Sequence, residues 1–144
     1  VVSVVTAGVV GSFPASPPPD ADGVAHTIDS VAEGEYVATP EHGLTADRMR
    51  LTTRTVELSD GDGAARAPLR GAPVTPVPAE GPGADGRLRR VLDGTPPDAA
   101  FGGSEAFADA AADARTVDHE WRSSPDTLTV RRVRYGELRV TLVG

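Results

Sequence analysis

Asp118, His119 and Glu120 stand together in the chain, and two carboxylates flanking an imidazole are groups from which proton transfer and metal binding are built. Adjacent residues, however, point in different directions from a helix end or loop and rarely converge on one ion. His26 and His42 sit in separate segments and could join His119 only through the fold. No metal, cofactor or catalytic residue is therefore assigned, and an anchored hydrolase using Asp118 or His119 is the weakest of three functional readings. Asp60, Gly61, Asp62 and Gly63 begin like a calcium loop, but the fifth position is Ala64 and no Glu occupies the twelfth, so a tight turn explains them better. No serine lies in a G-x-S-x-G elbow, and neither a P-loop nor a G-x-G-x-x-G fingerprint is found. The carboxylate pair of a glycosidase is a property of the fold and leaves no sequence spacing. An aromatic content of 4% nevertheless argues against a sugar cleft.

The clearest candidate for recognition is basic. Arg131, Arg132, Arg134 and Arg139, with Arg87, Arg89 and Arg90, offer a patch for the acidic segment Asp20 to Asp47 of a neighbouring copy. The plainer alternative is a solvated strand face balanced by local acids, since an exposed ion pair contributes under about 1 kcal/mol.

These groups must be positioned by one small core. The 144 residues match the size of a single domain, and the core must rest on Val, Leu and Ala because there are one Trp, two Tyr and three Phe. Sixteen Gly and thirteen Pro punctuate the chain, which favours short strands and loops. Cysteine is absent, so disulfides, thiolate metal sites and a cysteine nucleophile are removed together. All fourteen basic residues are Arg, and seven acids precede the first of them, Arg48, within a net charge of −7. Such an acidic front lacks the footprint that phosphates require, and nucleic acid is excluded as a partner.

Residues 1–13, VVSVVTAGVVGSF, carry no charge. As a helix they would cover roughly 20 Å of an approximately 30 Å hydrocarbon core, so a full span needs more apolar residues upstream. Ser3, Ala7 and Gly11 recur every four positions, a small-residue stripe that lets apolar helices approach closely. A buried β-branched strand and a cleaved secretory signal are the competing readings. Residues 14–23 form a Pro-rich linker, extended and semi-rigid like a stalk. With no Arg before Arg48, the positive-inside rule puts this flank outside any membrane.

Residues 24–144 are expected to fold as a small α+β domain, an antiparallel sheet of hairpins packed against one or two helices. Val24, Ile28 and Val31 have helical spacing, with Asp22 as cap and Gly34 as stop. Tyr36 to Ala38 reads as a brief strand before Pro40. Arg48 to Leu58 reads as a strand returning through the Asp60 turn to Ala64–Leu69, while Pro68, Pro73, Pro76 and Pro78 push their strands to an edge. Arg87 to Leu92 is too short to assign. Ser104 is expected to cap a helix whose inner side is Phe107, Ala110, Ala111, Ala114 and Val117. Thr127–Tyr135 and Glu137–Val143 read as a hairpin around Gly136. The apolar phase moves from Leu128 and Val130 to Val133 and Tyr135, for which a bulge near Arg131 and Arg132 is expected.

The opening VVSVVTAGVVGSFP, the helix-like TIDSVAEGEY, the LRRVLDGTPP stretch and the closing LTVRRVRYGELRVTLVG together resemble an uncharacterised family of halophilic archaeal proteins. That resemblance spans nearly the whole chain. It implies an N-terminal transmembrane helix and an association with pilus or type II/IV secretion-like gene clusters, hence a placement rather than a mechanism. Halophilic adaptation implies acid over the whole surface, whereas here the part after Asp47 is neutral, which keeps a secreted domain from a GC-rich actinobacterium open. The expected function is non-enzymatic: a membrane-anchored, extracytoplasmic, pilin-like or accessory subunit with other subunits, or itself, as partner. The rival is a soluble or anchored module for an extracellular ligand.

Overall fold

The computed structural model describes residues 19–34, 38–61, 63–77 and 86–144. Residues 1–13, with Ser3, Ala7 and Gly11, and residues 14–18 of the Pro-rich linker lie outside them, as do Tyr36 and Asp62. The remainder is α+β, with mainly antiparallel sheets and a few helices.

Helix α1 (Ala21–Ala32) forms because Ala21, Val24, Ala25, Ile28 and Val31 make one apolar stripe at three- and four-residue spacing, all of them buried. Its start differs from expectation. Asp20, not Asp22, is the cap, its Oδ1 accepting the Gly23 N–H at 2.8 Å. The stop is the expected one, Gly34 at φ +93°, which donates its N–H to the Val31 carbonyl. The stripe is buried because α1 touches strands of two different sheets.

Among the described residues the first sheet has the order β1–β7–β8–β5, where β1 is Ala38–Gly43, β5 Thr75–Pro76, β7 Thr127–Tyr135 and β8 Leu138–Val143. The second has the order β4–β3–β2–β6, with β2 Arg48–Leu51, β3 Thr55–Ser59, β4 Ala64–Pro68 and β6 Arg122–Ser123. The prolines sit where a missing N–H costs least, Pro40, Pro68 and Pro76 all lying in edge strands. β5 is the exception to antiparallel pairing, running parallel to β8.

The segment Arg48–Leu58 is not one strand but a hairpin. Thr52 Oγ1 accepts the Thr55 N–H at 3.0 Å and bonds the Thr55 hydroxyl at 2.7 Å, closing a turn without glycine or proline. Further on, Asp60 Oδ1 accepts the Gly63 N–H at 2.8 Å, so the calcium-like motif is a turn between β3 and β4. Met49, Leu51, Val56, Leu58 and Ala67 then share one core with the α1 stripe and with Leu128, Val130 and Val143 of the first sheet.

A second core lies on the other face of the same β7–β8 hairpin. Here Val133, Val140 and Leu142 meet α2 (Gly86–Leu92), α3 (Pro97–Phe101) and α4 (Ser104–Thr116) through Leu88, Val91, Leu92 and Phe107. Gly103 rather than Ser104 is the N-cap of α4, with no side-chain capping bond, and Val117 is 51% exposed beyond its end. The pairing of β7 with β8 runs without a break from Tyr135↔Leu138 to Val130↔Val143, so no bulge lies at Arg131 or Arg132 in that ladder. The apolar phase changes because the covering layer changes. One face of the hairpin is covered near Leu128 and Val130, the opposite face near Val133 and Tyr135. The irregularity falls instead on edge strand β1, between Thr39 and His42.

Two polar ties fix the layers. The Asp29 carboxylate accepts the Arg70 N–H at 3.0 and 3.2 Å and the Gly71 N–H at 3.0 Å, binding α1 to the segment after β4. Asp29→Ala is expected to cost about 1–2 kcal/mol, because water can re-satisfy the exposed Arg70 amide but replaces a charged acceptor poorly. A fall of several degrees in the thermal midpoint, partly restored in Asp29→Asn, is the measurement. At the other end, the Tyr135 hydroxyl donates to Asp98 Oδ1 at 2.7 Å and joins α3 to β7. That hydrogen bond, then burial, then the Asp98 charge hold the phenol above its ordinary 10.0. The tie therefore exists below the unfolded phenol's pKa and is lost as pH rises through the higher folded value. In a phenolate absorbance titration Tyr135 should ionise above an ordinary tyrosine, and Asp98→Ala should bring it back.

Candidate functional site

The β7–β8 ladder sorts the arginines. Residues 128, 130, 132 and 134 share one face of β7 with 139, 141 and 143 of β8 by cross-strand register, and Arg134 stands opposite Arg139. The first half of this face is buried under α1 at Leu128, Val130 and Val143. The second half is not. The twelve residues of α1 reach about 18 Å along its axis, against about 30 Å for the nine residues of β7.

The uncovered half forms a cleft of about 610 Å³. Arg132, Arg134, Arg139 and Thr141 supply its sheet side, Ala32 and Glu33 at the end of α1 one wall, and Ala72 and Pro73 another. Thr141 is buried, whereas Arg134 and Arg139 are exposed and Arg132 is intermediate. Arg132 lies against the bare backbone of Gly34, where a Cβ would collide with its Nη1. Among the described residues, no hydrogen bond or ion pair engages the guanidinium groups of Arg132, Arg134 or Arg139. Sheet two behaves differently. Its half-buried Arg50 and exposed Arg66 both approach Glu57, at 3.5 and 3.9 Å.

Arg131 is brought elsewhere. It belongs to the opposite face, where its Nε donates to the Leu92 carbonyl at 2.9 Å and caps the end of α2. The α2 arginines are separate too. The Arg87 guanidinium lies 4.5 Å from the centre of the Phe101 ring, and Arg89 is close enough to Arg122 to join burial in lowering that group's pKa. Of the seven arginines considered from sequence, three thus make the cleft. What sequence reading missed is Glu33, Thr141 and Gly34. Alternation along β7 and β8 would have separated Arg131 from the rest, and only tertiary packing brings the end of α1 to them.

The Asp118–Glu120 segment lines a second, smaller cleft of about 260 Å³ with Leu51, Pro76, Val77 and Trp121. Asp118 and Glu120 are exposed and His119 is intermediate, its Nε2 buried without a hydrogen-bond partner among the described residues. Thr75 Oγ1 shares that condition. His26 is on α1 and His42 on β1, and among the described residues no three His, Asp or Glu side chains are grouped to hold a metal ion.

No helix among the described residues is long and apolar enough to cross a membrane. Comparison with curated proteins and with solved structures yields no match. Residues 1–133 do match one family, and the chain accordingly belongs to the Family of unknown function (DUF7283).

Proposed function

We propose that this protein is a non-enzymatic, extracytoplasmic subunit held at a membrane by its opening apolar segment, its folded head serving a pilus-like or secretion-type assembly. The observation that carries the reading is the order of the chain. Thirteen uncharged residues and a proline tract precede a domain that starts immediately afterwards, at the Asp20 cap of α1. The family match includes that apolar segment, which supports treating it as part of the working unit. Absence of Arg before Arg48 supports a head on the outer side. Ser3, Ala7 and Gly11 would be the face through which neighbouring helices pack.

The test is fractionation of cells expressing the protein from its own reading frame. The chain should remain with membranes through alkaline carbonate extraction and be digested by protease added to spheroplasts. Deletion of residues 1–13 should release it. An equal distribution of both forms in the soluble fraction would defeat the proposal. Larger residues at Ser3, Ala7 and Gly11 should leave the chain membrane-bound yet abolish crosslinked assemblies. Function retained by the Asp118→Ala/His119→Ala double variant would remove the hydrolase reading. A ligand-binding module is the second reading, favoured by the arginine cleft.

A further inference from the structure

We infer that the cleft between the end of α1 and the open half of the β7–β8 hairpin binds a small multivalent oxyanion, a polycarboxylate or a polyphosphate, through Arg132, Arg134 and Arg139. This deepens the ligand-binding reading and does not depend on where the head resides.

Three observations converge. The first is electrostatic. Arg134 and Arg139 are direct cross-strand neighbours on one face, an arrangement of like charges that destabilises a sheet. Arg132 is two residues away on the same side, and no described side chain pairs with any of the three. The same protein places Glu57 within reach of both Arg50 and Arg66 on its other sheet, whereas no described carboxylate pairs with the three arginines that share this cleft. An anion between the guanidinium groups turns the repulsion into attraction, and their planar forks match carboxylate and phosphate oxygens.

The second is shape. A volume near 610 Å³ falls in the range of small-molecule sites, roughly 300–1,000 Å³. Ala32, Ala72 and Pro73 give it short apolar walls, and the buried Thr141 stands on its sheet side. Glycine at position 34 leaves room for the Arg132 guanidinium.

The third concerns size and charge of the occupant. The whole chain carries −7, which repels a long polyanion over its length, whereas a small ion feels mainly the local arginines. Among the described residues Glu33 is the one acid on the rim. It opposes a high density of negative charge near α1 and directs the anionic groups toward Arg134 and Arg139.

The experiment is calorimetric titration of the full chain in non-ionic detergent at low salt with citrate and, separately, tripolyphosphate. At least one probe should bind with Kd below about 1 mM. The Arg134→Ala/Arg139→Ala variant should bind it about tenfold more weakly or worse, with its thermal midpoint unchanged or raised, because a repulsive pair has gone. Arg50→Ala/Arg66→Ala removes the same charge elsewhere and should stay within about twofold of the parent, as distant exposed charges are screened. The tighter probe identifies carboxylate or phosphate as the chemistry. Absence of binding by both probes, or equal weakening in the two double variants, would overturn the inference. Success or failure here is independent of membrane fractionation, so the two proposals fail separately.

Discussion

Phe107→Ala is expected to remove about 3–5 kcal/mol of stability, a large fraction of the roughly 5–15 kcal/mol that a folded domain holds in reserve. Phe107 is fully buried and is the largest such side chain among the described residues. Its ring meets Phe101 edge-on at 5.3 Å and lies 6.2 Å from Tyr135. It therefore joins α4, α3 and the end of β7, and aromatic contacts of this kind add to the area buried. The neighbouring rings, Phe101 and Tyr135, belong to α3 and β7, so filling the space requires those elements to shift. The measurement is the urea midpoint at unchanged slope. A loss below about 1 kcal/mol would mean that α3 and α4 collapse readily into the space.

Ile28→Ala should cost about 2–5 kcal/mol for a different reason. Ile28 is fully buried on a helix that packs against both sheets, and relaxation toward one sheet withdraws the helix from the other. The Asp29 tie to the amides of residues 70 and 71 further restricts collapse. Because Ile28 and Phe107 belong to separate apolar clusters, their effects should add within about 0.5 kcal/mol. The double variant would then lose about 5–10 kcal/mol and should be largely unfolded in buffer, as judged by circular dichroism. A variant as stable as Phe107→Ala alone would show the two clusters to be coupled.

The parts most legible in the sequence were those whose pattern is short-range. Leu138, Val140 and Leu142 alternate beside Gly136, and Val24, Ile28 and Val31 repeat at helical spacing; both became the expected elements. Thr52–Thr55 was missed because hydroxyl groups close that turn without a glycine or proline to announce it. Asp20 and Asp22 are equivalent as caps by type, and only the backbone geometry at Asp20 selects one. The phase change in β7 is visible in the sequence but suggests a bulge there, since sequence does not reveal that opposite faces are covered at opposite ends. The arginine site was half legible for the same reason. Three of its members alternate on two strands, while Glu33 and Gly34 arrive from a helix end some hundred residues earlier, through packing alone.

The continuous β7–β8 ladder has an effect on how the molecule opens. Both apolar clusters use these two strands, from opposite sides, so neither half of the domain keeps its partner surface once the ladder parts. Slippage by one position would exchange the faces and strand both clusters at once. Amide protons of Val130 to Val133 and Val140 to Val143 should accordingly exchange with solvent only through global unfolding. Their exchange should also accelerate equally when either cluster is weakened, the signature of one cooperative unit assembled around a common wall.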